Sequence, residues 1–93
     1  MSFMAEPYKL ELREHIAKTF KKLEKKDRRQ LMAVRKKLEE ILEDPERFKP
    51  LHPPMQGLRR VHIMKSFVLT YSIDRGTHTV IVEDYAHHDE VYE

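Results

Sequence analysis

The chain has 93 residues, of which 37% are charged and 40% hydrophobic, and so short a chain cannot divide its apolar content between two cores; one domain over residues 1–93 is expected. The absence of cysteine excludes disulfide frameworks, thiolate metal sites and cysteine nucleophiles, while no signal-peptide stretch and no run near the roughly 20 apolar residues of a membrane span is found, so a cytoplasmic protein without a membrane partner is expected. The net charge of +2 hides a division: twelve Lys/Arg face five Asp/Glu through Lys37, and six face eleven from Leu38 to Glu93, so the first half can attract nucleic acid, phosphates or an acidic protein segment.

Tyr8, Leu10 and Leu12 alternate with Lys9, Glu11 and Arg13, which predicts a short half-buried strand from Tyr8 to Leu12. From His15 the period lengthens. Ile16, Phe20 and Leu23 fall at spacings of four and three, the pattern of an amphipathic helix. Asp27 followed three residues later by Gln30 is a capping-box pattern that opens a second helix. The stripe Leu31, Val34, Leu38, Ile41 and Leu42 carries this helix to Asp44, where Pro45 stops it. Two helices joined by so short a turn must lie antiparallel.

Phe48 to Gly57 reads as a stiff connector, because Pro50, Pro53 and Pro54 forbid regular ladders. Three strands are predicted after it, around Val61 and Ile63, from Phe67 to Ile73 and from Thr79 to Tyr85. Lys65-Ser66 is a tight link, and Asp74-Arg75-Gly76-Thr77 a glycine-containing hairpin. The fold class is therefore α+β: a strand, an antiparallel helical hairpin and a three-stranded antiparallel meander forming one sheet, with the helices on one face. Alternation turns Val61, Ile63, Val80 and Val82 into the core and leaves Arg60, His62, Met64, Thr79, Ile81 and Glu83 on the open face. Glu83-Asp84 is expected to face water at a strand end.

Histidine carries the chemistry. Six occur; His62 follows Arg59-Arg60, and His87-His88 precede Tyr92. An imidazole gives and takes a proton near neutral pH, Arg or Lys holds a phosphate, and Tyr hydrogen-bonds or stacks on a base. These are the parts of a metal-free ribonuclease, in which a ribose 2′-OH attacks its own phosphate with a base, a cation and an acid assisting. The same histidines also fit a solvated tail or, for His62, a core position. Lys21, Lys22, Lys25 and Lys26 either solubilise the first helix or steer phosphates. His87-His88-Asp89 matches no zinc-ligand spacing, and no glycine-rich phosphate loop, serine elbow or carboxylate pair is present, so neither metal nor cofactor is expected. A non-catalytic basic module that coats RNA or an acidic partner is a further reading, marked by salt-dependent binding without cleavage.

Five segments, in this order and spacing, resemble one family. They are Tyr8-Lys9-Leu10-Glu11-Leu12, Leu38 to Asp44-Pro45, Met55-Gln56-Gly57-Leu58-Arg59-Arg60-Val61-His62-Ile63, Val68-Leu69-Thr70-Tyr71-Ser72-Ile73 and His87-His88-Asp89-Glu90-Val91-Tyr92. The resemblance is to the RelE/ParE superfamily of toxins from bacterial and archaeal toxin–antitoxin modules. The stretch from Gln56-Gly57 to Tyr71 is most similar to the RelE and YafQ-like branch. That resemblance implies a RelE-like fold and a ribosome-dependent mRNA endoribonuclease that inhibits translation. It also implies a RelB-like antitoxin whose acidic, amphipathic segment wraps around the toxin and silences it.

Roles follow from the same resemblance. Arg60 and His62 would face the RNA, with Arg59 beside them; His88 would be acid or base, Tyr92 the terminal aromatic, and Lys65 the supplementary cation. Many RelE members carry an arginine where this chain has Val68, and YafQ-like members an acidic residue where it has Ser66. Val68 keeps open the ParE-like branch, which shares the fold, is associated with inhibition of DNA gyrase and lacks the nuclease residues.

Overall fold

The computed structural model of the chain describes residues 7–91. Helix α1 (Glu14–Lys26) buries Ile16 and Phe20, one turn apart, and helix α2 (Arg28–Glu43) buries Gln30, Val34, Leu38 and Ile41. Asp27 alone separates them and caps α2: its carboxylate accepts from the Gln30 backbone N–H at 3.0 Å, and the Gln30 side-chain amide donates back to it at 3.1 Å. That pair satisfies one of the donors a helix start leaves open. Lys25 and Lys26 in the last turn of α1 face its negative dipole end.

Strands β1 (Lys9–Leu12), β2 (Leu58–Ile63), β3 (Phe67–Asp74) and β4 (Thr79–His87) form one sheet in the order β1-β4-β3-β2. The last three make the predicted antiparallel meander, and β1 joins the edge of β4 in parallel, so the sheet is mixed. Leu69, Tyr71, Val61, Ile63, Val80 and Val82 point from the sheet into a core completed by Ile16, Phe20, Val34, Leu38 and Ile41. Each such aliphatic side chain, fully buried, contributes about 1.5–3 kcal/mol. Tyr71 ties the layers together: it is fully buried, and its hydroxyl donates to the Pro45 carbonyl at 2.6 Å, just beyond α2. Burial pushes its pKa up to about 12.

Two features depart from the sequence reading. The fourth strand runs on to His87 and passes directly into a short helix α3 (His88–Val91), where an irregular tail was the alternative. The sheet also carries a bulge: Tyr71 pairs with Val82 but Thr70 pairs with Asp84, so Glu83 has no partner in the ladder. An extra residue reverses which way every later side chain points. Val80 and Val82 face the helices; beyond the bulge Tyr85 does, opposite Leu69, while Asp84 and Ala86 lie on the open face opposite Thr70 and Val68. Glu83-Asp84 thus sits inside a strand, not at its end.

Ion pairing fastens the bulge. Arg13 donates from Nε and an Nη to the two Glu83 carboxylate oxygens at 2.8 and 3.2 Å, and the Ser72 hydroxyl donates to Glu83 at 2.6 Å. These donors hold the Glu83 carboxyl below its usual range against the opposing effect of burial. The open-face assignment stands for Arg60, His62 and Ile81, but Thr79 is 8% exposed and does not contribute to an accessible surface.

Candidate active site

His62 and His88 reach the open face from opposite sides of β3. His62 stands on β2 in a row with Val68 of β3 and Ala86 of β4, and His88 follows two residues after Ala86 at the start of α3. Their ring centres are 6.0 Å apart. The junction is pinned by the His88 backbone N–H, which donates to the Ser66 carbonyl at 2.7 Å. Ser66 belongs to the β2–β3 turn, where Met64 and Lys65 adopt positive φ values of 52° and 67°. Non-glycine residues there cost about 1 kcal/mol or more each, and such conformations gather at functional sites. Lys65, in this turn, is exposed.

Arg60 lies one row further along, opposite Thr70 and through it Asp84. Its Nε is buried, and the residue as a whole is half-buried on the open face. Asp84 is exposed and faces His15 at 3.9 Å. At the other end, the Asp89 carboxylate stands 3.8 Å from His88 Nδ1 and 3.7 Å from His87 Nδ1. His87 turns aside, with its ring edge-on to Phe67 at 5.4 Å.

The remaining sequence candidates do not gather here. Arg59, adjacent to Arg60, points to the helix side and is consumed by structure: it donates to the carbonyls of Phe48 and Glu46 and lies 3.9 Å from the Glu46 carboxylate. Only 14% of its side chain is exposed, so it stands apart from the open face on which Arg60 and His62 lie. Alternation carried the signal, since Arg59 shares the phase of the buried Val61. Lys21, Lys22 and Lys25 line the solvent side of α1 with Lys18, away from the buried Ile16 and Phe20, and Lys26 ends the same helix. The sheet separates them from the imidazoles. Tyr92 lies outside the described residues.

Two lysines missed in the sequence stand closer. Lys36 and Lys37 of α2, with Ala33 and Glu40, form one wall of an open cleft whose other wall is His62, Ile63 and Met64. Lys37 is engaged, 3.5 Å from Glu40 and 5.6 Å from the centre of the Phe48 ring. Lys36 falls in the helix register between the buried Val34 and Leu38, which is the signal that would have placed it toward solvent.

A second network reaches the site from inside. The Tyr85 hydroxyl donates to Gln30 Oε1 at 2.6 Å, joining β4 to the Asp27 cap, and its ring stacks on Phe67 at 5.6 Å and meets Phe20 edge-on at 5.3 Å. Burial raises its pKa. Phe67 in turn meets His87, so this aromatic column fixes the end of β4 where His88 begins. Two imidazoles and a guanidinium on one open sheet face are groups that can transfer protons and offset negative charge.

Residues 7–92 match the sequence profile of the ParE toxin of the type II toxin–antitoxin system parDE. The chain belongs to this toxin family. A Methanosarcina mazei protein without an assigned function is 48% identical over 85 residues, covering 91% of this chain and 99% of that protein. A Methanocaldococcus jannaschii protein bearing the toxin name RelE4 is 42% identical over 85 residues, covering 91% and 90%. Among solved structures, the toxin–antitoxin complex RelBE2 of Mycobacterium tuberculosis aligns with a TM-score of 0.72 at 25% identity, over 88% of this chain and 99% of that one. A free Escherichia coli RelE toxin with two arginines replaced by alanine aligns with a TM-score of 0.68 at 25% identity, over 87% and 83%. The α+β fold expected from the sequence is thus that of RelE toxins, and the chain is a type II toxin of the RelE/ParE superfamily.

Proposed function

We propose that this toxin is an endoribonuclease that cuts mRNA on the ribosome and thereby stops translation. The convergence of His62 and His88 on the open sheet face, 6.0 Å apart and beside Arg60, carries the reading. His88 is the acid or base, His62 positions the RNA and assists, and Arg60 with Lys65 stabilises the charge that builds on the phosphate when a 2′-OH attacks. No protein-held metal enters this scheme. The partner is an antitoxin, as in the RelBE2 complex, with an acidic amphipathic segment that neutralises the cations and folds on binding.

Gyrase inhibition is the second reading, favoured by the ParE profile and by Val68, an apolar residue 1% exposed in the floor of the site where many RelE members carry an arginine. Induced expression separates the two. Mapping of mRNA 5′ ends should show new ends within translated frames, absent in the His88→Ala strain. DNA breaks or supercoiling defects without new mRNA ends would select the gyrase reading and reject the nuclease.

A further inference from the structure

His62 also borders a cleft that the catalytic scheme leaves unused. This open cleft between α2 and β2, about 360 Å³ in volume, has Ala33, Lys36, Lys37 and Glu40 on one wall and His62, Ile63 and Met64 on the other. The fold leaves room for it, because β2 is the last strand of the sheet and, among the described residues, the connector bridges to it at Arg59. Two of its charges cancel: Lys37 stands 3.5 Å from the Glu40 carboxylate. Lys36 is exposed and makes no ion pair or hydrogen bond among the described residues. The cleft thus holds one uncompensated ammonium, on the wall across from an exposed imidazole.

We propose that this cleft binds one nucleotide of the RNA strand beside the cleaved bond, with its phosphate on Lys36 and its ribose against Ala33 and Met64. The inference rests on the reading of His62 as a residue that positions RNA. The volume lies near the lower end of the roughly 300–1,000 Å³ of small-molecule sites, enough for a single nucleotide unit. A phosphodiester carries one negative charge, and lysine meets it as a point charge without a fixed fork geometry. Met64, 46% exposed at a positive φ of 52°, offers an adaptable apolar side chain to a sugar or base. The rival occupant is an acidic amphipathic helix of the antitoxin, which needs a row of apolar anchors at helical spacing. The cleft suits it less: it has one free cation, and Ile63 is 2% exposed.

The test is cleavage on programmed ribosomes by the parent and Lys36→Ala proteins, using mRNAs that carry one neutral methylphosphonate linkage at successive positions on either side of the cut. Lys36 is exposed on a helix, where alanine is a strong helix former, so the variant is expected to fold. On native mRNA, Lys36→Ala should raise the half-saturating toxin concentration about tenfold, with the maximal rate moving less than about threefold, and Lys36→Arg should recover most of the loss. At one flanking position the neutral linkage should cost the parent a similar factor and cost Lys36→Ala nothing further, the signature of two groups in direct contact. Parent-like half-saturation in Lys36→Ala overturns the proposal, and weaker antitoxin binding in the same variant would then assign the cleft to the antitoxin. Losses that multiply at every position also overturn it and place Lys36 on ribosomal RNA. A parent protein that cuts no mRNA overturns the nuclease reading and this site with it.

Discussion

The two faces of one sheet are built from alternate residues of the same strands and do opposite work. Toward the helices, Val61, Ile63, Leu69, Tyr71, Val80 and Val82 interlock with Ile16, Phe20, Val34, Leu38 and Ile41, all nearly without solvent contact. Away from them, Arg60, His62 and Asp84 surround the buried Val68 and Thr70. One face is packed under the helices; the other is left uncovered by them. Helical cover decides which is which, and the extra residue Glu83 puts the last four residues of β4 and the start of α3 in the phase that brings His88 to the open face.

The comparison breaks most completely if that extra residue is removed. Deletion of Glu83 restores strict alternation, which would turn Asp84 and Ala86 into the core and Tyr85 out of it, and the expected result is loss of cooperative folding. A deletion variant with native circular dichroism would mean that the bulge does not set the facing. Next in size, Leu69→Ala should cost about 2–5 kcal/mol in denaturant unfolding, whereas His62→Ala, on the other face, should stay within about 0.5 kcal/mol of the parent. Equal losses would make the open face part of the core.

Smaller effects sharpen the boundary between the faces. Tyr85→Phe leaves the Gln30 amide oxygen without its 2.6 Å donor and should cost about 1–3 kcal/mol. Glu83→Gln should cost less than about 1 kcal/mol, since its partner Arg13 is half exposed. The sign of its pH dependence is fixed. Because the folded state holds the Glu83 carboxyl below its ordinary value, its contribution is fully present above about pH 4.3 and is lost as the pH falls through the depressed folded value. The stability gap between parent and Glu83→Gln should therefore narrow between pH 5 and pH 3; a constant gap would show that the Arg13 contact does not act through this charge.

Local pattern made the helices and the meander legible. Asp27 and Gln30 stand three apart and cap α2, Pro45 ends it, and the stripe through Val34, Leu38 and Ile41 is buried as its spacing requires. Arg60 and His62 on the open face followed from the period of two. What stayed hidden depends on residues far apart in sequence. The bulged Glu83 meets Arg13, 70 residues earlier in the chain, and alternation by itself sends His88 to the other face. Arg59 differs from Arg60 by its phase with Val61, which alternation shows, but its carbonyl partners Glu46 and Phe48 lie in a stretch with no periodic signal. The pairing of β1 with β4 and the closeness of Lys36 to His62 likewise follow from the packing of whole elements.

The central claim is that His88, carried to the open face beside His62, transfers a proton in RNA cleavage. Single-turnover cleavage of mRNA on programmed ribosomes, by parent and His88→Ala proteins of matched thermal stability, tests it most directly. The account predicts that the variant cleaves about 10² to 10⁴ times more slowly; cleavage at the parent rate by a folded His88→Ala protein would contradict it.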